Sequence, residues 1–81
     1  MHYIKLISVP QAAQSAVTSL LVSDLGLSPA DASTRFAART TSPIYNFTNA
    51  VDPDVHRFMG RLVQTLAPWP SAKFTVGRHP S

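Results

Sequence analysis

The sequence predicts a small single domain of the α+β class, with elements in the order β-α-α-β-α-β and a three-stranded, mainly antiparallel sheet packed on three helices. Three observations lead to this prediction. The chain has 81 residues, which leaves room for one domain. Short runs rich in β-branched and aromatic residues alternate with longer segments of helical periodicity. Prolines stand where predicted strands end or helices begin.

The first half of the chain predicts one strand and two helices. Residues 3–9 are rich in Ile, Val and Tyr, which is typical of a strand, and Pro10 ends that strand and begins a helix. Apolar residues then recur at helical spacing until Gly26, a residue that commonly ends helices. The second helix begins at Ser28, where a capping residue is followed by proline and then by an acid, and it extends to about Arg39.

The second half predicts strand, helix and strand. Residues 44–48 form a short strand with Tyr45 and Phe47 on one face. The third helix begins at Asp52, and its apolar residues form a continuous stripe: Val55, Phe58, Met59, Leu62, Val63 and Leu66. Residues 73–76 alternate as the last strand, and residues 77–81 are expected to be a frayed tail.

The composition indicates an acidic partner and a cytoplasmic protein. Seven Lys and Arg residues stand against four Asp and no Glu, and the net charge is +3. Such a balance is typical of a protein that binds nucleic acid or an acidic protein surface, and equally of a small domain that needs net charge to stay soluble. The chain has no cysteine, which excludes disulfides and thiolate metal sites and favours a reducing compartment. Residues 6–23 are uncharged but contain too many polar side chains for a membrane span, so we expect no membrane association.

One five-residue pattern, Arg-Phe-x-x-Arg, occurs at residues 35–39 and again at 57–61. On the third helix, Arg57 and Arg61 point away from the apolar stripe and Phe58 lies at its edge. Exposed Arg and aromatic side chains are common in binding sites, so this copy is the stronger candidate for partner contact. Gly60 costs helix stability, which indicates that a backbone approaches closely there, either a packed strand or a partner.

In the first copy, Phe36 is the only large apolar anchor of its helix. Arg35 and Arg39 flank that anchor and are therefore expected to be structural, although partner contact stays open. Asp24 falls on the apolar face of the first helix. Either that helix frays before Asp24, or the carboxylate pairs with an arginine, for example one of these two.

Trp69 stands between two prolines and forms a rigid aromatic that either covers the core or anchors a partner. The histidines have no metal-ligand spacing, and no catalytic motif or cofactor-binding loop occurs. We therefore expect neither an enzyme nor a cofactor or metal.

The leading hypothesis is a small binding or inhibitor protein that docks its Arg and Phe helix surface on an acidic face of a larger protein. In size and composition the chain is similar in style to phage and mobile-element proteins that block host machinery, anti-CRISPR proteins among them. Two alternatives stay open at this point: a small basic nucleic-acid-binding protein, and a homo-oligomeric structural subunit. The oligomeric state itself is not predicted.

Overall fold

A computed structural model of the protein describes residues 1–80 and has the predicted α+β architecture. Three strands and three α-helices follow the order β-α-α-β-α-β. The elements are listed in chain order: β1 (His2–Ile7), α1 (Gln14–Leu25), α2 (Pro29–Ala37), β2 (Tyr45–Phe47), α3 (Pro53–Leu66) and β3 (Lys73–Arg78). A single 3-10 turn, Gln11–Ala13, precedes α1.

The sheet is antiparallel throughout, with strand order β2-β1-β3. In the register, Ile4 of β1 stands between Tyr45 of β2 and Val76 of β3. Because side chains alternate along a strand, Ile4 and Leu6 point to one face of the sheet, whereas Tyr3 and Lys5 point to the other. Ile4 and Leu6 are buried in the core. The helices therefore cover one face of the sheet, and the opposite face is open.

Local chemistry explains where the helices begin and end. The Ser28 side chain accepts a hydrogen bond from the Asp31 backbone N–H at 3.1 Å, and Asp52 caps α3 in the same way through the Asp54 N–H at 2.9 Å. Gly26 ends α1 in the left-handed conformation, with φ of 70°. These caps confirm the three boundaries predicted at Ser28, Asp52 and Gly26.

Several boundaries differ from the prediction by one to four residues: β1 begins at His2, α1 begins at Gln14 after the 3-10 turn, α2 ends at Ala37, and β2 spans only Tyr45–Phe47. Two further differences concern the ends of β1 and β3. The first strand ends at Ile7, two residues before Val9, because Ser8 adopts a left-handed conformation with φ of 55° that breaks the extended backbone. The last strand continues beyond Val76, since Gly77 and Arg78 pair with β1. The prediction of a frayed tail is therefore wrong for Gly77 and Arg78, whereas Ser81 lies outside the described residues.

The hydrophobic core lies between the helices and the covered sheet face. Its largest fully buried side chains include both phenylalanines of the repeated pattern, Phe36 and Phe58. Val63 departs from the predicted apolar stripe of α3, because its side chain is 60% exposed. On α3 the buried stripe therefore consists of Val55, Phe58, Leu62 and Leu66.

Candidate functional site

The arginines of the first Arg-Phe copy bind groups within the protein. Arg35 donates through Nε to Asp31 at 3.2 Å and through Nη1 to the Ile44 carbonyl at 3.2 Å. Arg39 donates through Nε to the Val9 carbonyl at 2.9 Å and through Nη1 to the Phe36 carbonyl at 3.1 Å. Its guanidinium also lies 4.2 Å from the centre of the Phe36 ring. Both arginines thus hold α2 to neighbouring segments, as the sequence led us to expect.

The second copy differs from its prediction at Phe58. This ring is fully buried, so its predicted place at the edge of the core is wrong. Four other apolar residues of α3 that are buried or half-buried surround Phe58, and the helix is oriented with this ring toward the core. Arg57 does point to solvent, but it forms an ion pair with Asp54 one turn earlier.

Asp24 pairs with Arg61, not with Arg35 or Arg39. Arg61 Nη1 donates to Asp24 Oδ1 at 2.9 Å. Helix α1 continues through Asp24 to Leu25, so the alternative of fraying before this residue is wrong as well. The Asp24 side chain is only 4% exposed, and the residue's remaining accessibility comes from its backbone. Its Oδ2 has no hydrogen-bond partner among the described residues. Arg61 therefore joins α3 to α1 by compensating a largely buried charge.

The other two positions singled out from the sequence also have clear places. A Cβ atom added at Gly60 would meet nothing within 4 Å, so the expected close approach of a packed strand is wrong, and approach by a partner stays a prediction. Trp69 is half-buried against the core. It also lines two surface grooves, and whether it anchors a partner stays a prediction.

Most cations without a carboxylate partner lie in the sheet. Within residues 1–80, ion pairs join Arg35, Arg57 and Arg61 to Asp31, Asp54 and Asp24. Four further cations have no such pair there. Arg39 is one of them, and the other three are sheet residues: Lys5 on β1, and Lys73 and Arg78 on β3.

Across the described residues, the four cations outside the ion pairs and Asp52, the one aspartate outside them, account for the net charge of +3. Arg39 donates to backbone carbonyls, and the carboxylate of Asp52 caps a helix. Two of the four uncompensated cations, Lys73 and Arg78, therefore stand on β3, whereas both arginines on the solvent side of α3 are paired.

An apolar groove adjoins β3. It runs between α3, the Trp69 segment and the beginning of β3, and has a volume of about 570 Å³. Val63, Leu66, Trp69 and Phe74 provide apolar walls, and Lys73 stands at the rim. The exposure of Val63 has its explanation here, because this side chain borders the groove instead of packing beneath a strand. Such a groove suits an apolar side chain from outside the protein.

The backbone of β3 has one unused edge, because β3 is the outer strand next to β1. His79 donates its N–H to the Met1 carbonyl at 2.9 Å, and Ile44 on the β2 side donates to the Ile4 carbonyl at 2.9 Å. Odd-numbered β1 residues thus bond toward β3 and even-numbered ones toward β2. In the antiparallel register, the N–H and C=O groups of Phe74, Val76 and Arg78 therefore point away from β1.

We use the name β3 edge surface for Lys73–Arg78 together with Val63 and Trp69 of the groove. Sequence reasoning singled out Trp69 from this surface but none of its other residues as contact candidates. Part of the signal was present, because Asp31 and Asp54 stand four and three residues before Arg35 and Arg57, the spacing at which helical ion pairs form. Because this spacing pairs Arg35 and Arg57 with acids of their own helices, it could have removed them as contact candidates in favour of Lys73 and the other sheet cations.

Comparisons with family models, curated proteins and solved structures give no match. Within residues 1–80, none of the helices combines the length and the apolar character that crossing a membrane requires. Function therefore has to be argued from the surface itself.

Proposed function

We propose that this protein is a small non-enzymatic binding protein that docks on an acidic face of a larger protein and acts as its inhibitor. We place this interaction in the cytoplasm. The partner is of the class expected from the sequence, a protein with an acidic surface, but we assign the main contact to the β3 edge surface instead of α3.

The observation that carries the proposal is the distribution of compensated charge. An acidic partner approaching α3 meets Arg57 and Arg61 already paired with Asp54 and Asp24, so little attraction is gained. The same partner approaching β3 meets Lys73 and Arg78, which have no carboxylate within 4 Å among residues 1–80. Complementary charge mainly accelerates association and selects the partner, and the apolar groove supplies area to bury.

A test compares two double variants, one for each surface, in affinity capture from the source cell. We expect Lys73→Glu/Arg78→Glu to lose the captured protein, whereas Arg57→Ala/Arg61→Ala retains it. The opposite pattern would return the contact to α3. Capture that neither double variant reduces would contradict both surfaces.

A second candidate, single-stranded nucleic acid, is favoured by the open face of the sheet. Tyr3 lies there on the central strand, with its ring across Gly77 and 4.8 Å from the ring of His79. Lys5 follows on the same face. Aromatic rings with neighbouring cations bind bases and phosphates.

Titration of labelled single-stranded RNA and DNA at two salt concentrations tests this candidate. If it is right, binding weakens with salt and Lys5→Glu weakens it further. Absence of salt-dependent binding would remove the candidate. We prefer the protein partner because the cations are few and because an apolar groove does not bind phosphate.

A further inference from the structure

We propose that the partner contributes an extended acidic segment, which pairs with β3 as a fourth strand and places an apolar side chain in the adjoining groove. This inference rests on the proposed function, because it specifies how the acidic protein partner is held. Three features of the β3 edge surface lead to it, and they concern backbone, side chains and charge in turn.

The backbone of β3 offers alternating donors and acceptors. The strand has six residues, Lys73–Arg78, and none of them is proline. Its unused N–H and C=O groups at Phe74, Val76 and Arg78 form one row along the outer edge. A peptide strand can satisfy both kinds of group at once, which is how strand addition at a free sheet edge gains affinity. A phosphodiester backbone supplies acceptors only, so nucleic acid fits this edge less well.

The other edge of the sheet is a poorer template. Strand β2 has only three residues, Tyr45–Phe47, and Pro43 stands just before it. Short edge strands and nearby prolines discourage pairing with other chains. The contrast indicates that β3 is the edge suited to pairing.

The side chains beside β3 leave room for a partner. Phe74 is half-buried and Val76 is 44% exposed, although both lie on the helix-facing side of the sheet. A fourth strand would continue that side, so its inward side chains would lie against the groove walls at Val63 and Trp69. Alternate residues of an added strand thereby provide specificity.

Charge selects an acidic segment over a second copy of the chain. Lys73 and Arg78 stand at the two ends of β3, and no acidic residue lies between them. Pairing β3 with the β3 of another copy would bring both pairs of cations into one short ribbon without any carboxylate. Four like charges gathered in one ribbon repel one another, whereas acids near both ends of the partner strand would be attracted.

The test begins with random peptides displayed on phage and selected on the immobilised full-length protein. We expect the selected peptides to combine acidic residues with alternating apolar ones. A synthetic copy of a selected peptide is then titrated into isotopically labelled protein. The backbone amides of Phe74, Val76 and Arg78 should become protected from hydrogen exchange, because these N–H groups gain partners.

A matched pair of variants separates the backbone from the side chain. Val76→Pro removes an outward N–H that β1 does not use, a position where edge strands tolerate proline. Val76→Ala keeps that N–H and shortens the side chain. We expect Val76→Pro to weaken the peptide by about tenfold or more, and Val76→Ala to weaken it less. An amide spectrum of each variant confirms folding, and the exchange measurement on the unmodified protein needs no variant.

The outcomes distinguish this inference from the function on which it rests. If Lys73→Glu/Arg78→Glu abolishes peptide binding while Val76→Pro leaves it unchanged, the partner is acidic but is held through side chains, and strand addition is overturned. If none of the variants weakens binding, both proposals fail. The inference would also be overturned if the selected peptides lacked acidic residues or left the edge amides unprotected. It would equally be overturned if light scattering showed dimers, or if single-stranded RNA instead of peptide protected the β3 edge.

Discussion

In the helical layer, every arginine of the two Arg-Phe segments has a partner within the protein, whereas the cations of the sheet have no carboxylate partner among residues 1–80. The arginines connect segments: Arg39 reaches the Val9 carbonyl and Arg61 reaches Asp24 on α1. Lys73 and Arg78 stand on an edge strand beside an open groove. The difference teaches that a dense basic motif can serve the fold, while cations scattered elsewhere in the sequence stay without a carboxylate partner in the part of the chain that the structure describes.

This comparison predicts that substitutions in the helical layer change stability, whereas substitutions of the sheet cations change binding. The largest effect is expected at Phe58, which the sequence placed at the edge of the apolar stripe and the structure places in the core. Phe58→Ala should lower the free energy of unfolding by about 3–5 kcal/mol, because it leaves a cavity among well-packed neighbours. Chemical denaturation measures this.

Val63→Ala on the same helix is the control for Phe58→Ala, and it should stay within about 0.5 kcal/mol because Val63 is largely exposed. Equal effects of the two variants would contradict the assignment of Phe58 to the core.

Arg39→Ala comes next. We expect a loss of about 2 kcal/mol, because two backbone carbonyls lose a charged donor and the Phe36 ring loses its cover. Arg39→Lys keeps the charge but not the planar fork, so it should recover only part of the stability. A thermal unfolding series would measure this, and full recovery with lysine would show that charge alone matters.

The two arginines of α3 should differ from each other. Arg61→Ala is expected to cost about 1–2 kcal/mol, because it leaves the buried Asp24 carboxylate unpaired, although solvent around Arg61 limits the loss. Arg57→Ala should cost at most about 0.5 kcal/mol, since its pair with Asp54 is exposed on both sides. A double-mutant cycle of Arg61→Ala with Asp24→Ala should reveal a coupling free energy between the two residues. If their effects on the free energy of unfolding were additive, the assigned ion pair would be wrong.

The glycines test the same contrast with smaller and opposite effects. Gly60→Ala should stabilise the protein by about 0.5–1 kcal/mol, because the added Cβ atom would meet nothing within 4 Å and alanine favours the helix. Gly77→Ala should destabilise it, because a Cβ there overlaps the Tyr3 ring. Urea unfolding midpoints compare the two, and a destabilised Gly60→Ala would point to a contact made in solution.

The smallest change in stability is expected for Lys5→Gln/Lys73→Gln/Arg78→Gln. These cations have no ion pair within the described residues, so unfolding should shift by no more than about 0.5 kcal/mol. Retained stability together with lost partner capture would sharpen the comparison between sheet and helices. A marked loss of stability would indicate that the sheet cations, too, serve the fold.

The order of elements and the helix boundaries set by capping residues could be predicted because they depend on local chemistry. A capping side chain at Ser28 or Asp52 acts on an N–H only two or three residues away, and Gly26 ends its helix through its own backbone. Phe36 was likewise recognisable as an anchor, since its helix has no other large apolar residue. The tail was misjudged because the pairing partners of Gly77 and Arg78 lie at the other end of the chain.

By itself, the sequence determined the fold class and the helix caps, and it favoured a structural role for Arg35 and Arg39. Only the tertiary structure decided which arginine meets Asp24, because the two residues are 37 positions apart and their contact depends on how α1 packs on α3. Tertiary structure also made β3 an outer strand, since strand order follows from long-range pairing and not from the residues of one strand. Local patterns report which backbone forms at each place, whereas the charges and edges left for a partner emerge only after the segments have packed.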